Sequence, residues 1–160
     1  MHNIDPDRCE ISIHALVGFS APQTLKIVGY IKKQKVIVLI DSGSAHNFID
    51  KRLAKRLNYV VYLVPSFQFL VANGGSIDWG KFHNIKFSMG EYNLSSLMFF
   101  IHIGGVDVVL GIQWLRTLDI VSTNYNDFFM RFQLEGIQHE LKGLNSHPLR
   151  SSSLIEWKCY

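Results

Sequence analysis

The stretch "VIVLIDSGSAHNFID", Val36 to Asp50, decides how this sequence is read. Five aliphatic residues lead straight into Asp41, and Ser42, Gly43 and Ser44 follow at once. A continuous apolar run of that length and β-branched content fits a strand buried on both faces. Its end puts a carboxylate at the mouth of the strand, with a hydroxyl beside it and a second hydroxyl three residues on. The glycine between them tolerates positive φ or the close approach of another backbone. A carboxylate held by hydroxyl and backbone donors is fixed in orientation. Taken alone, Asp41-Ser42-Gly43 fits an ordinary Asx turn equally well, because Asp and Ser are common turn residues.

Outward from this stretch the pattern is mostly strand-like. "ISIHALVGF" from Ile11 alternates, and "TLKIVGYI" from Thr24 alternates until it slips at Gly29. "KKQK", Lys32 to Lys35, reads as the polar turn that joins it to the run ending in Asp41, which makes three strands before that residue. Between Asn47 and Leu57 the period changes. Ile49, Leu53, Ala54 and Leu57 take helical spacing with basic residues opposite, so one short helix is expected, capped by Ser44 or Asn47. Strand pattern resumes through "VVYLV", "FQFLVA", "HNIKFSM", "LSSLMFFIHI" and "DVVL", broken by Asn73-Gly74-Gly75, Gly90 and Gly104-Gly105 at hairpin-like intervals. "IQWLRTL", Ile112 to Leu118, is a second helix candidate, with Trp114 and Leu115 on its core side. "FFMRFQLEGIQHEL" reads as a final hairpin turning near Glu135-Gly136. Many short strands with two short helices describe an all-β domain with a partly closed sheet. "VIVLIDSG" and "VDVVLG" each precede a helix candidate, which points to a weak internal repeat of strand, turn and helix.

At 160 residues the chain has the size of one domain. Residues 1–10 form a polar segment, 11–143 the domain, and 144–160 a Ser-rich aperiodic tail expected to be loose. Hydrophobic residues make up 48% and charged residues 18%, a globular composition and not a disordered one. Net charge is +3, but the 16 Lys and Arg are scattered. Their densest cluster, "DKRLAKR" from Asp50 to Arg56, has helical spacing and reads as a solvated face, so no nucleic-acid partner is expected. Cys9 and Cys159 stand far apart with no CxxC, HExxH or paired histidines at ligand spacing, so no metal or cofactor is expected. "MHNIDPDRCE" lacks the apolar core of a signal peptide. The longest apolar stretch, Leu97 to Ile112, is interrupted by His102 and Asp107 and falls short of the roughly 20 residues of a membrane helix. A cytoplasmic, reduced protein with no membrane partner is the expectation, with the sequon Asn93-Leu94-Ser95 inert.

The Asp41 loop followed by a helix pattern, and some distance on by "VVLGIQWL", resembles the aspartic peptidases. More closely, it resembles the retropepsin-like peptidase of gypsy-type long-terminal-repeat retrotransposons, particularly those of plants. The resemblance runs from Ile11 to Gly143 through "HALVG", "QTLKIVGYI", "VIVLIDSGSAHNFID", "LAKRL", "VANGG", "GGVDVVLGIQWLRTL" and "MRFQLEG", in that order. It implies a retropepsin-like fold in which Asp41 is the catalytic carboxylate. Ser42 would brace two active-site loops, Gly43 would let them approach, and Ser44 would donate to the outer oxygen of Asp41. Leu110-Gly111 would be the hydrophobic-Gly pair crossing behind the catalytic loop. Asn73, Gly74 and Gly75, with Trp79 and Gly80, would form the flap that closes over substrate. Asp107 has no catalytic role by resemblance and reads as a structural carboxylate. The chain departs from the family at Asp119, where Gly is usual after "WLRTL", and at Trp79 and Phe82, where relatives often carry cysteines.

The aspartic peptidase mechanism needs two carboxylates sharing one proton. Only Asp41 in this chain is followed by Ser or Thr and then Gly. A two-fold homodimer cleaving a polypeptide substrate is therefore expected, each chain supplying one Asp41. The alternative is a catalytically silent remnant, or domesticated copy, that serves as a dimerisation or binding module.

Overall fold

The strand that ends in Asp41 organises the molecule. The structure, a computed structural model, describes residues 10–11, 24–59, 63–71 and 76–144. Eleven strands and two helices lie within them: β1 (Glu10–Ile11), β2 (Thr24–Ile31), β3 (Gln34–Asp41), β4 (Phe48–Asp50), α1 (Lys51–Arg56), β5 (Leu63–Val71), β6 (Ser76–Met89), β7 (Tyr92–Ile101), β8 (Val108–Leu110), α2 (Ile112–Leu115), β9 (Val121–Asn124), β10 (Phe129–Leu134) and β11 (Ile137–Lys142).

β2 and β3 form a hairpin in register from Thr24 opposite Asp41 to Ile31 opposite Gln34. Its turn is two residues long and not the four of "KKQK", because Gln34 and Lys35 already belong to β3. Lys32 and Lys33 both take positive φ, 47° and 67°, as the mirror-image turns of two-residue hairpins require. The Lys32 ammonium offsets that backbone cost: it donates to the Leu57 carbonyl at 2.8 Å and lies 4.1 Å from the Tyr59 ring centroid. β3 runs parallel to β8, β8 antiparallel to β4, and β4 parallel to β7. β7 pairs antiparallel with β6, and β6 meets β2 where Ser88 faces Tyr30. Those pairings return to β2, so six strands close into a barrel. β5 and β1 extend the sheet from β6.

The continuous apolar character of β3 has a direct cause. Val36, Val38 and Ile40 enter the large core with Leu25, Phe100, Leu110 and Trp114, while Leu39 enters a second cluster with Phe48, Phe99 and Val109. At 25 cal/mol per Å2, each such buried aliphatic side chain contributes about 2 kcal/mol. The strand is thereby locked from both sides.

Several expectations are corrected. The helix expected from Asn47 begins only after Asp50, because Phe48 and Ile49 are fully buried in β4, wedged between β7 and β8. Tertiary pairing there outweighs the helical spacing. Neither Ser44 nor Asn47 caps α1; the Asp50 carboxylate does, accepting from the Arg52 N–H at 2.9 Å. "VVYLV" and "FQFLVA" merge into one strand, β5, with a register shift between Leu63 and Gln68. α2 spans four residues, after which Thr117 and Leu118 make tighter bonds to the Trp114 and Leu115 carbonyls. β9 was not signalled, since its central Ser122 and Thr123 are polar and exposed. It completes a three-stranded sheet with the β10–β11 hairpin, whose turn is Glu135-Gly136, φ 51° and 77°. Asp119 is exposed and does not take positive φ, so the turn after α2 has no need of glycine there. Most of "ISIHALVGF", the start of "VVYLV", Asn73 to Gly75 and the tail from 145 lie outside the described residues.

Candidate active site

Asp41 is the last residue of β3 and only 3% exposed. Its Oδ1 accepts from the Gly43 N–H at 2.9 Å and its Oδ2 from the Ser44 hydroxyl at 3.1 Å. The Ser44 N–H closes the turn on the Asp41 carbonyl at 3.2 Å. Both carboxylate oxygens therefore have donors from the two following residues, and the carboxylate plane is set by the loop itself. Ser42 and Gly43 are exposed, whereas Ser44 is fully buried.

The second loop crosses behind the first. The register of β3 on β8 ends with Ile40 opposite Leu110, which brings Gly111 alongside Asp41. A Cβ on Gly111 would run into the Ser44 carbonyl oxygen and lie 2.5 Å from the His46 carbonyl oxygen, so only glycine lets the loops touch. Beyond that crossing, the N–H groups of Ile112 and Gln113 donate to the carbonyls of Ser44 and Ala45 at 2.7 and 3.0 Å. The first turn of α2 thus satisfies the backbone of the Asp41 loop.

Asn47 ties this assembly together and was not singled out from the sequence as a site residue. It is fully buried. Its Oδ1 accepts from the Gly111 N–H at 3.0 Å and its Nδ2 donates to the Ser96 hydroxyl at 2.6 Å. Its own N–H donates to Gln113 Oε1 at 3.1 Å, and Gln113 Nε2 donates to the Leu97 carbonyl at 3.0 Å. One amide side chain therefore links the Asp41 loop, the Gly111 turn and β7. The sequence signal was available only as a polar residue inside an apolar pattern, "HNFI", and nothing there named its partners. His46, beside it, stands edge-on to Phe99 at 5.2 Å between centroids. Burial lowers its pKa, and a hydrogen bond with Gln113 opposes that shift.

The structure thus brings Asp41, Gly43, Ser44, Leu110 and Gly111 into one unit, with Ser42 on its outer side. Trp79 and Gly80 lie in β6, where Gly80 pairs with Leu63 and Phe100. Asn73, Gly74 and Gly75 lie outside the described residues. Asp107 is structural: its Oδ2 accepts from the Ile37 N–H at 2.8 Å and its carbonyl from the Asp50 N–H at 2.9 Å. Trp114 is core, its indole N–H donating to the Tyr92 hydroxyl at 3.1 Å, with Leu115 packed alongside. Among the described residues no group of three His, Cys, Asp or Glu could hold a metal ion, and no helix is long and apolar enough to cross a membrane.

A family model, the PEG10/RTL1 protease domain, matches residues 37–135, from within β3 to the turn after β10. The chain belongs to that protease domain family. No curated protein matches it. Among solved structures it is similar to the retroviral protease-like domain of Ddi1 from Leishmania major, with 14% identity, a TM-score of 0.55, and coverage of 79% of this chain and 98% of that one. It is also similar to a retropepsin-like aspartic protease from Rickettsia conorii, with 12% identity, a TM-score of 0.48, and coverage of 63% and 76%. The EIAV protease complexed with the inhibitor HBY-793 gives 14% identity, a TM-score of 0.45, and coverage of 73% and 92%. Membership of the family and the likeness to the Ddi1 domain make the fold retropepsin-like: an all-β, partly closed barrel with two short helices, as the sequence led one to expect.

Proposed function

We propose that the chain is an aspartic endopeptidase that works as a homodimer, Asp41 of each protomer supplying half of a water-activating dyad. The observation that carries this is the Asp41 carboxylate itself, held by Gly43 and Ser44 at the end of a strand locked on both faces, in a chain with one such loop. In the pair, one carboxylate takes a proton from the attacking water while the other, protonated, donates to the carbonyl oxygen of the scissile peptide. Two carboxylates that close cannot both ionise, so the pair holds one proton between them. In this reading Ser42, exposed beside Asp41, braces the partner's loop, and Gly43 lets the loops approach. Leu110-Gly111 backs the loop as described. The β5–β6 hairpin carries Trp79 and Gly80, with Asn73 to Gly75 between its strands, and serves as the flap over a polypeptide substrate. The order of motifs in the sequence supports descent from a gypsy-type retrotransposon of the plant kind, with polyprotein processing as the ancestral task.

The test is cleavage of a peptide library at mildly acid pH by the wild type and by Asp41→Asn. Loss of about 10^3-fold or more in the variant, with the dimer intact, is expected. Cleavage that survives the substitution, or a protein monomeric at every concentration, overturns the shared dyad. A folded dimer that cleaves nothing selects the silent, binding-module reading instead.

A further inference from the structure

Opposite the Asp41 end, the barrel carries a second feature. A groove of about 810 Å3 is lined by residues from the β2–β3 turn and from β2, β6 and β7, among them Tyr30, Lys33, Lys86, Ser88, Asn93 and Ser95. Strand register explains why they share a face: Tyr30 stands opposite Ser88, Ser88 opposite Asn93, and Lys86 opposite Ser95. Lys35, also exposed, faces Tyr30 from the other side. In sequence Lys33 and Lys35 stand together in "KKQK", whereas Lys86 lies far along the chain; the sheet brings it to the same face. No carboxylate lines the groove, and Glu91, in the β6–β7 turn, lies outside the lining. Tyr30, beside these lysines, is 47% exposed, a large aromatic side chain left half in solvent.

We propose that this groove binds single-stranded nucleic acid. Lysines supply attraction to the phosphates, which every polyanion would share. The open tyrosine supplies a stacking surface for an unpaired base, and the hydroxyls and amide of Ser88, Asn93 and Ser95 supply donors and acceptors to base edges. An acidic peptide would use the lysines but leaves the tyrosine face without a role. A duplex hides its base faces. Asp41 stands six positions after Lys35 along β3, about 20 Å of strand, so the groove is distinct from the proposed peptidase site.

The experiment is fluorescence anisotropy of the full chain with a labelled short oligouridylate, between about 50 and 200 mM salt. The wild type should bind, with affinity falling as salt rises. Lys33→Glu with Lys86→Glu should weaken binding about 10-fold or more and flatten the salt slope. Tyr30→Ala should weaken it about 5-fold or more, while Tyr30→Phe, which keeps the ring, should bind like the wild type. Thermal unfolding checks that each variant is folded; should the charge reversal unfold the protein, Lys33→Gln with Lys86→Gln replaces it. No binding at low salt, equal binding by the folded variants, or binding of a duplex or of polyglutamate as tight as that of the single strand would each overturn the proposal.

Discussion

β3 and β8 are parallel neighbours that end side by side, yet one ends in Asp41 and the other runs from Leu110 into Gly111. The first loop presents a carboxylate and holds it with its own Gly43 and Ser44. The second presents no reactive group; it gives up a side chain so that the Ser44 and His46 carbonyls can come against it, and then donates Ile112 and Gln113 N–H groups to the first. Two strand ends of similar sequence pattern thus differ in what they supply, one a held carboxylate and the other the room and the N–H donors around it. A repeat visible only as "strand, turn, helix" conceals that difference.

Substitution at the two strand ends should separate those roles. Asp41→Asn should abolish peptide cleavage by about 10^3-fold or more yet leave the melting temperature within a few degrees, since the amide is isosteric and its oxygen can still accept from Gly43. Gly111→Ala, which touches no reactive group, should cost about 3 kcal/mol in urea unfolding, because the methyl meets backbone carbonyls that cannot swing away. If Gly111→Ala were as stable as the wild type, the close crossing of the loops would be refuted.

Asn47→Ala tests the link between them. It leaves the Gly111 N–H buried without its acceptor and removes the donor to Ser96, at a cost of about 2 kcal/mol in the same measurement. Combined with Gly111→Ala the losses should fall short of additive, because both act on one contact. Strict additivity would mean that Asn47 supports the fold elsewhere.

The smallest effect concerns His46. Its folded pKa is lowered by burial, so as pH falls the unfolded chain takes up this proton first, near the ordinary value of 6.5. Its share of stability is therefore constant above that pH and lost as pH drops below it toward the folded pKa. The urea midpoint of the wild type should decline from pH 7 to pH 5.5, and His46→Gln should remove part of that decline; an identical pH profile for the variant would exclude His46 as its source.

Much of this was legible in the residues. The β2 and β10–β11 boundaries followed from alternation and turn chemistry, and β3 from its unbroken apolar run, because those patterns report local burial. The Asp41 loop was legible through the order of motifs around it. β4 was not, since Ile49 fits a helix face as well as a strand and only the places open beside β7 and β8 decide. Nor was the groove at Tyr30, because cross-strand neighbours are set by register and not by distance along the chain.

By itself, then, the sequence determined that Asp41 would end a buried strand in a protease-like all-β domain, because a run of aliphatic residues has nowhere stable to go but a core. Tertiary structure decided what faces that residue. The parallel pairing of β3 with β8 put a glycine behind the loop, and burial left Asn47 no option but to bond to both loops and to β7, since an amide with no water to turn to must satisfy itself within the protein.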